Sequence, residues 1–368
     1  MKDANSPRNI AVDLRLRNPF RAFRIRSVQK RLLEAVFDPN TEKLVIILTP
    51  GRDEINGGVL SIASIFRETR ELKNVHQSEA LLCTVPGEPL LMRYTKFKND
   101  NDLFELSMVL RYFSNLKEAI IHVPEYCIKR LVENLTEEDW QRLRNIKSLH
   151  INIMLQKMTV LPDLKYLKSL GEIGKLTCTT AHAQYSSLET RQRLDIPLHK
   201  LSVWNSPELY ERKQYAQKEN LMIVSPDPNP HRAEVMDTIS RDLPSLRVVT
   251  IRNMPYEEYR ETVARAKWAL TFGEGLDGYL LETIFSGGVS FAVYNSTFFT
   301  PDFGEFKTIY STYNALKSSI CSDITQLDEE NEFTQYQSNQ HNLCAKYYNR
   351  AQYLENLRLF YEGRYTFP

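Results

Sequence analysis

Short apolar runs of strand length recur along the chain, separated by amphipathic stretches of helix length. In the first half the runs are "LVIILT", "ALLCTV", "EAIIHV", "SLHINIML" and "KLTCTT". Between the first two lies "GGVLSIASIFRETRELKN", where Val59, Ile62, Ile65, Phe66 and Leu72 fall mainly on one helix face. A second series starts near Leu201 with "KLSVW", "NLMIVSP", "LRVVTI", "KWALTF", "VSFAVY" and "FKTIY". Helical patterns such as "HRAEVMDTISRDL" and "PYEEYRETVARA" follow several of these. Near-continuous apolar strands alternating with helices predict parallel sheets in α/β layers. The fold expected is two Rossmann-like, doubly wound domains facing a cleft.

The pattern breaks at "WNSPELYERKQ", where Asn205, Ser206 and Pro207 precede a new helical stretch. The domains expected are therefore a basic arm over 1–40, a first domain over 41–203 and a second over 204–343. The sequence "HNLCAKYYNRAQYLENLRLFYEGRY", residues 341–365, reads as one long aromatic-rich helix, and the segment expected to stand apart from the second domain, 344–368, can cross back to the first domain. A length of 368 residues suits two cores.

Bulk composition narrows the function classes only modestly. A formal charge of +1 argues against a general nucleic-acid binder. Cys83, Cys127, Cys178, Cys321 and Cys344 are scattered and show no C-x-x-C spacing, so neither a disulfide framework nor a zinc site is expected. No apolar run approaches the roughly 20 residues that cross a bilayer, and the opening residues lack a secretory h-region. A cytoplasmic protein is expected. Charge is uneven, however: Arg15, Arg17, Arg21, Arg24, Arg26, Lys30 and Arg31 share Leu14–Leu33 with no acid. With Leu14, Leu16, Phe20, Phe23, Ile25 and Val28 interleaved, this arm is either a solvated surface segment or a contact to anionic lipid or an acidic partner.

The candidate chemistry lies in "LTFGEGLDGYLLETIFSGGVSFAVY", residues Leu270–Tyr294. A short strand leads into a glycine-rich turn, then a helix for which Asp277 is the natural N-cap and Gly287 the terminator. A helix start of this kind offers unpaired amides and the positive end of the dipole, a setting for phosphate. Glu282 falls one turn in on the side of Gly278, and Glu274 stands just after the strand.

This element resembles the E-x7-E motif of retaining glycosyltransferases with the GT-B fold, glycosyltransferase family 4-like, here Glu274 and Glu282. "VWNSPELY" and "PYEEYRETVARAKWALTF" resemble the family's flanking segments, and Gly57 and Gly58 in "TPGRDEINGGVLSIASIF" resemble its glycine-rich loop. The resemblance implies a nucleoside diphosphate-sugar donor and a saccharide acceptor, and the basic arm points to a lipid-linked or surface polysaccharide precursor as that acceptor, in polysaccharide biosynthesis. It implies that Glu282 accepts the ribose hydroxyls, Glu274 sits by the transferred sugar, and the amides around Gly278 and Tyr279 receive the diphosphate. Gly57 and Gly58 would face that diphosphate, and Arg232, or else His231, would stabilise the leaving group. The base would lie near Arg252, Asn253 and Met254. No metal or other cofactor is implied. The family usually carries a glycine where this chain has Asp277, and a second basic residue is missing from "SPDPNPHR". Those departures keep open a catalytically silent sugar-nucleotide binder or scaffold, and the architecture also suits a nucleotide-sugar epimerase or hydrolase.

Other candidates read as structural. "NDND", Asn99–Asp102, has D-x-D spacing, but an acid there more naturally caps the helix "LFELSMVLRYF". His122, His150 and His182 sit on or after strands, where satisfied core histidines are common. Trp140, Trp204, Trp268 and the tyrosines near Tyr347 read as packing residues, and no nucleophilic serine or cysteine motif is present.

Overall fold

The computed structural model describes residues 19–161, 163–252 and 254–368. Over these residues the apolar runs become strands of two all-parallel sheets. Leu14, Arg15, Leu16 and Arg17 of the basic arm, and Asn253, lie outside the described residues.

The chain divides into two compact units. The first runs to Ala181 and adds Leu188–Lys200 and Leu357–Pro368; the second comprises His182–Ser187 and Leu201–Asn356. In the first, β1 (Lys43–Thr49), β2 (Glu79–Thr84), β3 (Leu103–Glu105), β4 (Glu118–Pro124), β5 (Ser148–Leu155), β6 (Lys175–Thr180) and β7 (Leu198–Lys200) take the order β3-β2-β1-β4-β5-β6-β7. In the second, β8 (Glu219–Val224), β9 (Arg247–Thr250), β10 (Ala266–Leu270), β11 (Val289–Val293) and β12 (Ile309–Tyr310) take the order β12-β11-β10-β8-β9. Both are doubly wound α/β units of the Rossmann-like kind, as the alternation predicts.

Strand alternation explains why these strands read as unbroken apolar runs. Met222 and Val224 of β8 point into one core with Trp268, Leu270 and Phe291, while Leu221 and Ile223 point into another with Tyr259 and Val263. A sheet covered on both faces needs apolar side chains at every position. In the first sheet Val45 to Leu48 are all fully buried for the same reason.

Several boundaries differ from the sequence reading. "KLSVW" pairs only through Lys200, and the segment after Pro207 makes the short 3-10 turns Pro207–Leu209 and Tyr215–Gln217 in place of a helix. The C-terminal stretch is two helices, Glu330–Tyr347 and Arg350–Tyr361, because Tyr348 leaves helical geometry at φ −121°, ψ 84°. Asp100 and Asp102 cap nothing. Leu103–Glu105 extends as strand β3, the helix starts at Leu106, and Asp102 pairs with Arg93 at 2.6 Å.

The described part of the basic arm is a helix, α1 (Pro19–Val36). Its fully buried Gln29 donates to the Leu103 carbonyl at 2.8 Å, and Arg26 pairs with Glu105 at 2.7 Å. These contacts satisfy part of the β3 edge, which would otherwise present open backbone groups. Arg21, Arg24, Lys30 and Arg31 stay exposed beside Phe23, which is 74% exposed.

Candidate functional site at the strand ends of the second unit

In the second sheet β9 lies on one side of β8 and β10 on the other, so the winding reverses between β8 and β10. Ligands of open α/β sheets bind beyond the carboxyl ends of the strands at that reversal. Ser225, the residue after β8, fastens the two strand ends together. Its N–H donates to the Leu270 carbonyl at 3.1 Å, and its Oγ accepts from the Phe272 N–H at 3.0 Å.

Helix α2 (Arg232–Asp242) begins beside these ends. The Arg232 guanidinium donates to the carbonyls of Ser225 and Asp227 and, at 3.0 Å, to Thr250 Oγ1. It also lies 5.0 Å from the Phe272 ring centre. Three strand ends thus fix one half-buried cation in place. Asp227 approaches the same spot, since a Cβ added to Gly273 would meet its Oδ2 at 2.7 Å. His231 is exposed and stacks 4.9 Å from Tyr313, whose hydroxyl donates to the Phe272 carbonyl at 3.0 Å.

The loop after β10 is shaped by Gly275. At φ +84°, with Phe299 Cε2 only 2.5 Å from where a Cβ would stand, glycine is the residue that fits. Helix α3 (Tyr256–Arg265) precedes β10, and helix α4 (Gly278–Phe285) follows the loop. Asp277 caps α4: its Oδ1 accepts the Leu280 N–H at 3.0 Å. Burial pushes the Asp277 carboxyl up to about 8; the Asp227 and Glu274 carboxylates add to that, and the Leu280 and Tyr279 amides oppose it. The cap therefore already engages amides at the helix start, and three acids, Asp227, Glu274 and Asp277, gather there.

Glu282 is 4% exposed. Its Oε1 would lie 3.1 Å from a Cβ on Gly278, so the glycine leaves room for the carboxylate over the first turn. Its Oε2 is buried with no hydrogen-bond partner. Burial pushes Glu282 up to about 7, opposed by the Tyr259 and Tyr210 hydroxyls and the charge of Arg260. A buried acceptor left unpartnered costs about 1–3 kcal/mol, which the neighbouring and equally unpartnered Tyr210 hydroxyl or a hydroxyl-bearing ligand would relieve. Beside it, Met254, Tyr256 and Tyr279 pack against Tyr259, with Tyr256 and Tyr259 stacked at 6.0 Å. Arg252 is exposed, and its charge is felt at Arg232. A cavity of about 600 Å³ is lined by Tyr210, Lys213, Glu257, Arg260, Glu261 and Arg265.

The first unit holds Gly57 and Gly58 at the start of the helix Gly57–Glu71. There the Asn56 side chain accepts the Val59 N–H at 2.9 Å, and a Cβ on Gly58 would meet Gln156 Oε1 at 3.4 Å. His122 is buried on β4, and His150 is half-buried on β5; both are hydrogen-bonded, as core histidines are. His182, also half-buried, packs 5.6 Å from Phe298. Among the described residues no group of three or more His, Cys, Asp or Glu could hold a metal ion.

Within the second unit Asp277, Gly278, Tyr279 and Glu282 lie at the start of α4, and Asp227, whose charge is felt at Arg232, is felt also at Asp277 and Tyr279. Sequence reading missed Ser225, Asp227 and Thr250. A signal existed, since Ser225 directly follows β8, Asp227 lies two residues further on and Thr250 ends β9. Tyr210 and Tyr259 carried no such signal, because only tertiary packing brings them to Glu282.

No protein-family model matches the chain, and no curated protein matches it. Solved structures do. A structure of Anabaena Alr3699/HepE in complex with UDP-glucose superposes with a TM-score of 0.56 at 8% identity, covering 87% of this chain and 99% of that one. TarM superposes at 0.54 with 10% identity, covering 88% and 100%. A DNA-modifying β-glucosyltransferase, solved in the presence and absence of the substrate uridine diphosphoglucose, superposes at 0.50 with 11% identity, covering 88% and 99%. At these identities the likeness is one of fold, and the fold is the two-unit Rossmann-like architecture described above.

Proposed function

We propose that this chain is a GT-B glycosyltransferase that moves a sugar from a nucleoside diphosphate-sugar to a saccharide or lipid-linked saccharide, with retention at the anomeric centre. The observation that carries the reading is the buried, unpartnered Glu282 Oε2 one helical turn behind Gly278, beside the winding reversal. A carboxylate in that position is suited to accept ribose hydroxyls, and structures with the same fold bind UDP-glucose.

In this reading Arg232 faces the diphosphate, with Gly278 and Tyr279 at the helix start. As the bond between the anomeric carbon and the diphosphate oxygen breaks, the guanidinium stabilises charge on the departing oxygen. Its carbonyl and Thr250 partners hold it oriented beforehand. Glu274 orients the sugar while the acceptor hydroxyl forms the new bond and gives its proton to the departing diphosphate oxygen. The residues around Arg252, Asn253 and Met254, with Tyr256 and Tyr279, take the base. His231 is a supporting donor contact, Gly57 and Gly58 open a helix of the first unit that is itself suited to phosphate, and no metal is required. The acceptor-side domain spans 41–203 and the donor-side domain 204–343. The exposed basic face of α1 suits peripheral contact with an anionic membrane, and a role in cytoplasmic polysaccharide synthesis follows from such a substrate.

A catalytically silent sugar-nucleotide binder is the second reading, favoured by Asp277, whose carboxyl sits where the diphosphate would approach. The test is a panel of uridine, guanosine and adenosine diphosphates by calorimetry, followed by donor turnover with and without acceptor. Transfer needs acceptor, hydrolysis does not, and a silent binder gives neither. If no nucleoside diphosphate binds, both readings fall.

A further inference from the structure

Four of the seven histidines surround the C-terminal segment of the chain, inside the first unit. His122 on β4 lies 5.2 Å from the Phe360 ring centre, His150 on β5 at 5.5 Å and His199 on β7 at 6.2 Å, while His76 lies 4.8 Å from Tyr361. Phe367 pairs with Leu198 as an antiparallel bridge, and Thr366 Oγ1 meets His199 Nδ1 at 3.2 Å. Leu357–Pro368 thus forms a strap over a sheet face that carries polar residues on four neighbouring strands.

Those polar residues form one hydrogen-bond chain whose directions can be assigned. Thr177 Oγ1 donates to Asn152 Oδ1 at 3.0 Å, so His150 Nε2, 2.7 Å away, donates to Thr177. Asn152 Nδ2 donates to Thr179 Oγ1 at 2.9 Å and to His122 Nδ1 at 3.0 Å. His122 Nδ1 is therefore unprotonated, and its Nε2–H donates to Tyr361 Oη at 3.1 Å, whose O–H in turn donates to Thr69 Oγ1 at 2.8 Å. His76 repeats the pattern: its Nδ1 accepts the Ser78 N–H at 3.1 Å and its Nε2 donates to the Thr69 carbonyl at 2.9 Å. Both Nδ1 atoms face donors. A proton added to either sets donor against donor, in a fully buried place at His122 and a half-buried one at His76.

We propose that Leu357–Pro368 is a pH-gated strap, held while His122 and His76 are neutral and released from the sheet when they take up protons. The surroundings offer little to offset the added charge. His122 faces His150, His76, Tyr361 and Asn152; His150 faces Lys175; His76 faces Lys73 and one carboxylate, Glu79. Burial holds His122 down at about 3 and His150 at about 4 in the closed form, whereas a released histidine titrates near 6.5. Stability of the closed strap is thus complete above about 6.5 and falls as pH drops toward the closed-state values.

The experiment is hydrogen exchange by mass spectrometry on the full chain at pH 7.5 and 5.0, corrected for intrinsic rates. One histidine moving from about 6.5 to about 3 raises the strap's opening roughly 30-fold across that interval. Peptides covering 357–368 should show at least that loss of protection, while β8 amides should not follow. His122→Asn keeps an acceptor toward Asn152 but cannot ionise, and should remove about tenfold or more of the change. Tyr361→Phe, which leaves the histidines in place, should speed strap exchange already at pH 7.5. A wild-type change under about threefold overturns the proposal. So does an undiminished change in His122→Asn, or unaltered protection in Tyr361→Phe at pH 7.5.

Discussion

Glu282 and Asp277 are both acids held above their ordinary range, yet a bound nucleotide would ask opposite things of them. Glu282 must be ionised to accept two ribose hydroxyls, so binding should strengthen as pH rises through about 7. Asp277 must be protonated, or it repels the diphosphate, so binding should weaken as pH rises past about 8. The expected affinity profile for uridine diphosphate, or whichever diphosphate binds best, is a bell between those values. Glu282→Gln should flatten its acidic limb and weaken binding by about 1.5–3 kcal/mol, the range for hydrogen bonds to a charged group. Calorimetry across pH 6–9 decides it: an affinity that changes monotonically would remove one of the two carboxyls from the site. The free protein responds with the other sign. A carboxyl raised in the fold binds its proton more tightly there than in the unfolded chain, so its contribution is full below the unfolded value of about 4 and is lost as pH rises toward 7. Glu282→Gln, which has no charge to bury, should therefore unfold at higher temperature than wild type at pH 8 and show little gain at pH 4.5.

At the scale of elements, the helix Gly278–Phe285 depends on the same aspartate that an anion must approach. Asp277→Ala removes an N-cap and should cost about 0.5–2 kcal/mol of stability, measured by denaturant unfolding. The same change should tighten nucleoside diphosphate binding above pH 8, because it deletes a negative charge and frees the Leu280 amide. Weaker binding instead would mean that Asp277 serves the ligand directly. This element was legible in the sequence because each of its parts has a local cause: a short, mainly apolar strand, Gly275 at positive φ, a capping aspartate, and Gly287 at φ +91° to end the helix. The elements that were misread lacked such causes. "NDND" looked like a cap, but Leu103 and Phe104 were recruited as β3 by pairing with Leu82 and Cys83. The single C-terminal helix expected from aromatic periodicity breaks at Tyr348, whose ring is buried in a core with Leu281 and Phe285; tertiary packing there overrides helix continuation. Likewise the polar face under the strap reads as ordinary strand in "SLHINIML" and "KLTCTT", since nothing local says that His150, Asn152 and Thr177 face one another.

At the scale of the whole molecule, each sheet is wrapped on its own cores, so a ligand confined to one unit should protect that unit selectively. The candidate donor residues Arg232, Gly278, Tyr279 and Glu282 all belong to the second unit, whereas Gly57 and Gly58 belong to the first. A nucleoside diphosphate at 100 times its dissociation constant adds about 2.7 kcal/mol to whatever binds it. If donor recognition is built by the second unit alone, hydrogen exchange of the full chain should slow in β8, β10 and the helix Gly278–Phe285, with β1 and β4 unchanged. If Gly57 and Gly58 also hold the diphosphate, protection must extend to the helix Gly57–Glu71, and Gly58→Ala should reduce it there, because a Cβ would meet the Asn56 side chain at 3.3 Å and disturb the cap. Protection in the first unit that survives Gly58→Ala would place its cause elsewhere, and protection in neither unit would end the nucleotide reading altogether.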